Sequence, residues 1–454
     1  LVDDLIGISG GRNYQDDYFD WDAEYNFRDR DVLVAGPEAA AMAANFQAFW
    51  EARRSVPAER LNDVGRTLLR EGVPAMPVPR YLRPERVQAA RAEASDADLV
   101  RERFVEPAFP VGAVRYIADL PQKHRRERRD DDAPAAPELE ALIRGAQKEV
   151  LLQTPYLVMS KQAQAMFRDM REPPPQVVVS TNSLAATDNP VVYSMSFKYK
   201  RRYLREFGFR IHEYKPFPED APVDYAALMP EGPPVALSED GRAAAGSGSG
   251  RIRGPSGSIG PSAGSQGETT RRLQRTESRP SFLSSGAASE PLPLKRAGVR
   301  MGLHAKSMVI DGETAVIGTH NFDPRSENYN TEAAVVIDDP AFAQALADSI
   351  RRDMSPENAW VIAPRAKPPV FSGLDYSLGK VSEALPIFDV WPWRYATSYE
   401  FRPGPDCPLP VAPKDPAFHR CYVAVGDFPE VNVGPKWLYT RVLTAFGAGL
   451  VPIL

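Results

Sequence analysis

The stretch from His304 to Glu332 places the strongest constraint on the fold of this chain. It contains two short, mostly apolar runs, Ser307 to Ile310 and Thr314 to Ile317. Short apolar runs bounded by turn residues are consistent with buried β-strands. The Asp311-Gly312 pair between the runs is typical of a tight hairpin turn. The stretch therefore predicts two short buried strands that form a β-hairpin.

Polar side chains surround this predicted hairpin. His304, Lys306 and Asp311 follow the spacing H-x-K-x4-D. Residues two apart on a strand share a face, so His304 and Lys306 would point into one site if the strand begins by His304. A neutral imidazole is a nucleophile near neutral pH, and a neighbouring ammonium suits a phosphate oxygen. The pair favours phosphate chemistry; the alternative is a hairpin that carries an unrelated surface histidine.

Four further predictions complete this site. Thr319 and Asn321 would donate hydrogen bonds to a phosphoryl group. Glu332 would orient His304 through its other ring nitrogen. Asp311 is expected to support the loop structurally.

These residues resemble the HKD motif of the phospholipase D superfamily, and other segments resemble its bacterial cardiolipin synthases. Those segments are GGRN followed by DDYF, TNSLAATD, RRYLREFGFRIHEYKP and HNFDPRSENYNTE. The likeness covers most of residues 1–365 and departs from the family at Thr319-His320. The resemblance implies an α/β fold with two similar phospholipase D-type lobes. Each lobe would be a mostly parallel mixed sheet flanked by helices, with the active site at the lobe interface.

The superfamily normally carries two copies of the motif, and the chain begins inside what resembles the first copy. A glycine and an asparagine follow its aspartate after seven and ten residues, as they do in the second copy. The partner histidine and lysine are expected upstream of Leu1, so this chain alone is expected to be inactive. Asn13 is expected to bind phosphate. The remnant of the first motif is Asp3, Gly10, Gly11 and Asp29.

A repeated strand, turn and helix support the internal repeat. Asp29 to Pro37 parallels Glu332 to Pro340, and each proline is followed by an apolar-periodic helix. Proline in the first turn is a helix-start signal. The alignment predicts that Asp29 orients the missing histidine. A solvated charge at a strand start is the alternative.

Strands alternate with helices after Pro137, which favours βαβ units. The predicted domains are the remainder of a first lobe (1–130), a second lobe (131–365) and a Pro- and aromatic-rich C-terminal segment (366–454). A low-complexity insertion at about 238–297 is expected to be disordered, because it cannot bury enough apolar surface. The C-terminal segment ends in an apolar stretch, which either lies at a membrane surface or docks as a helix.

Composition excludes few functions. The 43% hydrophobic and 25% charged residues are ordinary for a soluble globular protein. The net charge of −5 gives no signal for nucleic acid, and none is expected as a partner. Cys407 and Cys421 form either a disulfide, which would suit an exported protein, or two free thiols.

The resemblance implies a phosphatidyl transfer with no metal and no cofactor. One histidine, for which His304 is a candidate, would form a phosphohistidine from phosphatidylglycerol. Transfer to a second phospholipid would make cardiolipin. The expected partners are phospholipid substrates and a membrane surface. A small accessory protein is a further option, and the sequence does not identify it. The expected location is the bacterial inner membrane, as a peripheral protein, with the periplasmic side as one option.

Three alternatives remain open. One is a phospholipase D that hydrolyses phospholipid to phosphatidic acid. Another is a nuclease-like phosphodiesterase, against which the acidic balance argues. The third is an inactive fragment or a lipid-binding scaffold.

Overall fold

The computed structural model describes residues 1–76, 81, 83–124, 132–170, 174–220, 291–365, 395–432 and 434. Most of the predicted insertion at 238–297 and the apolar end of the predicted C-terminal segment lie outside these residues. In the described part of the chain, no helix is long and apolar enough to cross a membrane.

Strands and helices alternate along the chain. The strands are β1 (Ile6–Gly10), β2 (Tyr25–Arg28), β3 (Asp31–Ala35), β4 (Val114–Ala118), β5 (Glu149–Gln153), β6 (Gln176–Asn182), β7 (Arg210–Tyr214), β8 (Arg300–Leu303), β9 (Ser307–Ile310), β10 (Thr314–Gly318), β11 (Ala333–Asp338), β12 (Ala359–Pro364), β13 (Ala396–Phe401) and β14 (Tyr422–Gly426). The helices are α1 (Pro37–Trp50), α2 (Asn62–Glu71), α3 (Pro84–Ser95), α4 (Ala97–Val100), α5 (Ala135–Gly145), α6 (Lys161–Asp169), α7 (Pro190–Arg205), α8 (Pro324–Asn328), α9 (Pro340–Asp353) and α10 (Phe418–Cys421).

A ten-stranded mixed sheet organises most of these elements, in the order β14-β13-β12-β7-β6-β5-β9-β10-β11-β4. The predicted α/β class and the helix-flanked mixed sheet are confirmed. Parallel pairing joins β5, β6 and β7, and the other pairings in this sheet are antiparallel. The parallel part is smaller than predicted because each parallel connection needs a long crossover, whereas a hairpin such as β9–β10 needs only a short turn.

Alternating side chains of the large sheet divide the core into two layers. In β5, Val150 and Leu152 belong to the layer that contains residues of α5 and α6. Leu151, between them, belongs to the layer that contains one side of α9. Helices therefore cover both faces of the central strands, which is why these strands read as nearly continuous apolar runs.

The group formed by β1, β3 and α1 repeats the group formed by β10, β11 and α9. Each group follows a turn whose aspartate has positive φ, 50° at Asp3 and 54° at Asp311. Both helices begin at a proline and contain 14 residues. The strand registers are also equivalent: β1 pairs with β3 from Ile6–Ala35 to Gly10–Asp31, and β10 pairs with β11 from Thr314–Asp338 to Gly318–Ala334. The backbone therefore contains the internal repeat that the residue spacing predicts.

Strand pairing crosses both of the predicted domain boundaries. The first-lobe prediction (1–130) includes β4, which pairs with β11 at the edge of the large sheet. The C-terminal segment (366–454) includes β13 and β14, which extend the opposite edge of that sheet. That segment also contains a disulfide between Cys407 and Cys421. Local composition could not reveal these pairings because antiparallel edge strands join residues that are far apart in sequence.

A separate two-stranded sheet brings the start of the chain to the predicted site. In it, β2 runs parallel to β8, with Tyr25 opposite Arg300 and Arg28 opposite Leu303. The residues that follow these two strands are Asp29 and His304. The pairing therefore brings these two side chains together.

Candidate active site

Backbone contacts on two sides fix the position of His304. Its N–H donates to the carbonyl oxygen of Arg28 at 2.8 Å. The preceding residue, Leu303, is held by the side-chain amide of Asn182, which both accepts from its N–H and donates to its carbonyl oxygen at 2.7 Å. His304 is only 3% exposed. The imidazole therefore lies in a buried and well-defined position.

Asp29 orients this imidazole. Its Oδ2 accepts a hydrogen bond from Nδ1 of His304 at 2.7 Å, and its Oδ1 accepts the N–H of Arg30 at 2.8 Å. Burial raises the pKa of the Asp29 carboxyl, but the facing His304, its hydrogen bond and the charge of Lys306 lower that pKa overall. An ionised carboxylate can only accept hydrogen bonds. Asp29 therefore favours the tautomer of His304 with the proton on Nδ1 and the lone pair on Nε2.

This contact corrects the prediction for two acids. The sequence pattern assigns Glu332 to His304 and assigns Asp29 to a histidine outside the chain. The structure instead places Asp29 against His304, because β2 and β8 end side by side. A parallel pair between segments so far apart in sequence could not be foreseen from the spacing of either motif.

Glu332 lies against Thr319 instead. The Thr319 hydroxyl donates to the Glu332 carboxylate, and the Glu332 N–H donates to Oδ2 of Asp119 at 2.9 Å. Burial raises the pKa of Glu332 above the ordinary value of a carboxyl, although hydrogen bonds from Thr319 and Ser326 oppose this shift. In the internal repeat, Glu332 occupies the position of Asp29, and Thr319 occupies that of Gly11.

Two glycines of the first-motif remnant allow close packing at the site. A Cβ on Gly11 would lie 2.6 Å from Oδ1 of Asp29 and 2.9 Å from Cδ of Lys306. A Cβ on Gly10 would lie 2.6 Å from the carbonyl oxygen of Arg30. A larger residue at Gly11 would therefore displace the side chains of Asp29 and Lys306, and one at Gly10 would displace the backbone next to Asp29.

Lys306 lies directly against the imidazole. Its Nζ is 2.6 Å from Nδ1 and 2.9 Å from Nε2 of His304, and 2.5 Å from the carbonyl oxygen of the same residue. The strand β9 begins at Ser307, so the predicted alternation along a strand does not explain this proximity. The two side chains meet because residues 304–306 form the link between β8 and β9. The ammonium group therefore lies against both ring nitrogens of His304.

The three predicted phosphate ligands have different surroundings. Thr319 is turned toward Glu332. The amide of Asn13 donates to the Tyr18 hydroxyl at 3.0 Å, and that hydroxyl lies 3.4 Å from Nε2 of His304. Oδ1 of Asn321 is buried with no hydrogen-bond partner among the described residues. Of these three residues, Asn13 is linked to Nε2 of His304 through the Tyr18 hydroxyl.

An aromatic wall next to His304 was not predicted. Tyr18 meets the imidazole edge-on, with 5.1 Å between ring centroids. Phe27 also lies 5.1 Å from the imidazole, and it stacks on Tyr18 at 4.5 Å. The available signal was the DDYF segment, whose tyrosine is Tyr18. That segment supported the family resemblance but suggested no contact with His304.

Asp311 contributes through the backbone of a neighbouring loop. Its carboxylate accepts the N–H groups of Gln147 and Lys148 at 2.7 Å and of Glu149 at 2.9 Å. Burial acts to raise the pKa of Asp311, but these hydrogen bonds lower it overall. Asp311 therefore fastens the β9–β10 turn to the start of β5. Asp3 occupies the equivalent turn and is exposed.

The site segment matches a known family. Residues 273–354 match the family model described as cardiolipin synthase, PLD-like domain. This range includes the whole stretch from His304 to Glu332, together with β8 to β11 and α9.

Curated relatives match over a longer range at low identity. An uncharacterized protein of Helicobacter pylori strain J99 is 24% identical over 353 residues, which cover 77% of this chain and 55% of that protein. Cardiolipin synthase C of Escherichia coli K12 is 25% identical over 362 residues, which cover 76% of this chain and 58% of that protein. The chain thus spans little more than half the length of these relatives.

Solved structures resemble the chain more distantly. The crystal structure of phosphatidylserine synthase from Haemophilus influenzae Rd KW20 has a TM-score of 0.39 at 12% identity. The similarity covers 79% of this chain and 61% of that chain.

Proposed function

Because the chain belongs to the phospholipase D superfamily, near the cardiolipin synthases, we propose that it forms part of a phosphatidyltransferase. The proposed reaction makes cardiolipin from phosphatidylglycerol and a second phospholipid through a phosphohistidine. The geometry of His304 carries this proposal: Asp29 holds Nδ1 at 2.7 Å, and Lys306 Nζ lies 2.9 Å from Nε2.

In the first half-reaction, Nε2 of His304 attacks the phosphorus of phosphatidylglycerol. The P–N bond forms as the P–O bond to the headgroup glycerol breaks, and the departing oxygen takes a proton from an acid. The Lys306 ammonium stabilises the charge on the non-bridging oxygens. The Asp29 carboxylate stabilises the positive charge that the imidazole acquires, as the buried carboxylate of a catalytic triad does.

In the second half-reaction, an alcohol of a second phospholipid transfers its proton to a base and attacks the same phosphorus. The P–N bond breaks, and the electron pair returns to Nε2. The product is cardiolipin. If water takes the place of the alcohol, the product is phosphatidic acid.

We propose that the acid and base is a second histidine, carried by the first motif. Its remnant residues Gly11 and Asn13 already lie at the site through Asp29 and Tyr18. Glu332 occupies the position in the second repeat that Asp29 occupies in the first. Asp29, from the first repeat, binds His304 of the second motif. Glu332 is therefore the carboxylate suited to orient the second histidine.

The proposed enzyme works as a peripheral protein at the bacterial inner membrane, since its substrates are phospholipids. The Cys407–Cys421 disulfide favours the periplasmic side, because disulfides persist in oxidising compartments. Protease added to intact spheroplasts would digest a periplasmic protein. Full protection from that protease would contradict this orientation.

Lipid analysis tests the proposed reaction. The full-length gene is expressed in bacteria that lack their own cardiolipin synthases, and cardiolipin is measured by mass spectrometry. Wild type is expected to restore cardiolipin, and His304→Asn is expected to abolish it. His419→Asn is the matched control, because that histidine is exposed in α10, outside the site. Equal cardiolipin in wild type and His304→Asn would overturn the assignment of His304.

Product analysis separates transfer from hydrolysis. Purified full-length protein is incubated with phosphatidylglycerol, with and without added glycerol as the acceptor alcohol. A transferase is expected to exchange labelled glycerol into phosphatidylglycerol and to release little phosphatidic acid. Phosphatidic acid as the main product, with no exchange, would favour the hydrolase.

A further inference from the structure

Asp29 lies between two arginines that share one buried carboxylate. Nη2 of Arg28 is 2.9 Å from Oδ1 of Asp353, and Nη2 of Arg30 is 3.4 Å from Oδ2 of the same residue. The Asp353 side chain is fully buried. It ends α9 and lies 323 residues from Arg30 in the sequence. The contact therefore joins the segment that carries Asp29 to a distant helix.

Further hydrogen bonds join this cluster to the large sheet. Arg30 donates to the hydroxyl of Ser349 on α9 at 2.8 Å and to the hydroxyl of Ser307 on β9 at 3.2 Å. Gln153, at the end of β5, donates to Oδ2 of Asp353 at 2.8 Å. Arg30 is thus tied to α9 and β9, and Gln153 joins Asp353 to β5.

The backbone of the same segment holds the reacting pair. The carbonyl oxygen of Arg28 accepts the N–H of His304 at 2.8 Å. The N–H of Arg30 donates to Oδ1 of Asp29 at 2.8 Å. A displacement of residues 28–30 would therefore move the Asp29 carboxylate relative to Nδ1 of His304.

Asp353 also balances the charges near Asp29. Burial acts to lower the pKa of Arg28, but the charge and hydrogen bond of Asp353 contribute to raising it overall, so this guanidinium is cationic. Without Asp353, two buried guanidinium groups would lack their shared counter-charge. A buried charge without a partner is strongly unfavourable, and Asp29 is the adjacent carboxylate that could replace the lost partner.

We propose that Asp353 is a positioning residue for the reaction at His304. It holds residues 28–30 so that Asp29 faces Nδ1 of the imidazole rather than a neighbouring guanidinium. The proposal rests on the proposed histidine chemistry. It adds a residue that touches neither the imidazole nor the substrate.

The first test measures turnover of bis(4-nitrophenyl) phosphate, a simple phosphodiester, by the purified full-length protein. Asp353→Asn is expected to lower kcat by up to about 100-fold, as small displacements of catalytic groups do, with KM unchanged. Glu213→Gln is the control, since Glu213 is also a buried carboxylate and pairs with Lys200 away from His304. This control is expected to melt at a lower temperature and to keep its kcat per folded molecule. An unchanged kcat in Asp353→Asn would overturn the proposal.

A double-mutant cycle tests whether Asp353 acts through Asp29. Adding Asp353→Asn to Asp29→Asn is expected to cause no further loss of kcat, because the carboxylate to be positioned is already absent. Losses that multiply would show that Asp353 acts by another route, and would overturn the proposal. If Asp353→Asn does not fold, Arg28→Gln replaces it in the same cycle, since it removes one anchor and leaves Asp353 paired with Arg30.

The histidine resonances provide a readout that needs no turnover. In a ¹⁵N-histidine spectrum of the full-length protein, the resonances of His304 are assigned as those that are lost in His304→Asn. The Nδ1 resonance of His304 is expected to shift in Asp353→Asn, as in Asp29→Asn, and to stay in place in Glu213→Gln. An unmoved resonance in Asp353→Asn would overturn the positioning role. A wild type that turns over no phosphodiester would instead overturn the proposed function, and the spectrum would still decide the role of Asp353.

Discussion

Replacing Asp29 by asparagine tests whether this carboxylate orients His304. The 2.7 Å hydrogen bond joins two side chains with exposures of 4% for His304 and 0% for Asp29. A hydrogen bond to a charged group contributes about 1.5–3 kcal/mol. About 1.4 kcal/mol corresponds to a tenfold change in rate. If this interaction stabilises the transition state in full, Asp29→Asn lowers kcat by about 10- to 150-fold.

The assay is turnover of bis(4-nitrophenyl) phosphate by the purified full-length protein, with Asp31→Asn as the control. Asp31 is two residues further along the chain and pairs with Arg12 at 2.8 Å, with 25% of its side chain exposed. A partly exposed ion pair of this kind contributes at most about 1 kcal/mol. Asp31→Asn should therefore leave kcat nearly unchanged. An equal loss in both variants would show that the effect is not specific to Asp29.

The pH dependence of stability gives a second check on Asp29. Burial acts to raise its pKa, but His304 and Lys306 lower it overall. Its ionised form therefore stabilises the folded protein above the ordinary carboxyl pKa of about 4, and this contribution is lost as the pH falls through the lowered pKa. The difference between the thermal midpoints of wild type and Asp29→Asn should be constant above about pH 5 and shrink in acid. A difference that grows on acidification, or a kcat for Asp29→Asn within about twofold of wild type, would refute the reasoning.

Three further predictions concern other parts of the structure. Gly11→Ala should lower kcat by about 10- to 100-fold, because the new Cβ would lie 2.6 Å from Oδ1 of Asp29. Gly145→Ala is the control, since a Cβ at Gly145 would have no neighbouring atom within 4 Å. Asp311→Ala should lower the thermal midpoint at neutral pH by removing three backbone hydrogen bonds. Burial acts to raise the pKa of Asp311, but those hydrogen bonds lower it overall. The loss of thermal midpoint in Asp311→Ala should therefore diminish as the pH falls below about 4. A loss that does not depend on pH would contradict the assignment. Replacing both cysteines of the Cys407–Cys421 disulfide by serine should lower the free energy of unfolding by about 3 kcal/mol, since the bridge closes a separation of 14 residues; denaturant titration measures this loss, and an unchanged midpoint would contradict it.

Local elements around the site could be predicted from the sequence. The strand expected at Ser307–Ile310 has those bounds in the structure, and the strand expected at Thr314–Ile317 ends one residue later, at Gly318. The helices expected after Pro37 and Pro340 begin at those prolines. Apolar periodicity and proline act within a few residues, so the information needed for these elements is contained in the local sequence.

The pairing of the strands could not be predicted in the same way. The boundary expected near residue 130 separates β4 from a sheet to which it belongs. The predicted C-terminal segment after residue 365 contributes β13 and β14 to that sheet. Which edge strand joins which sheet depends on the packing of the whole domain, and no local pattern encodes it.

The sequence by itself pointed to phosphate chemistry, predicted the internal repeat and singled out His304 and Lys306 as the central candidates. These conclusions depend on residue types at fixed short spacings. Only the tertiary structure decided that Asp29 faces His304, that Tyr18 lies beside Nε2, and that Asp353 anchors the segment carrying Asp29. Each of these contacts joins positions hundreds of residues apart, through the parallel pairing of β2 with β8 and the burial of α9 against the large sheet. The physical reason is that folding selects long-range partners by packing and charge compensation, which act between surfaces rather than along the chain.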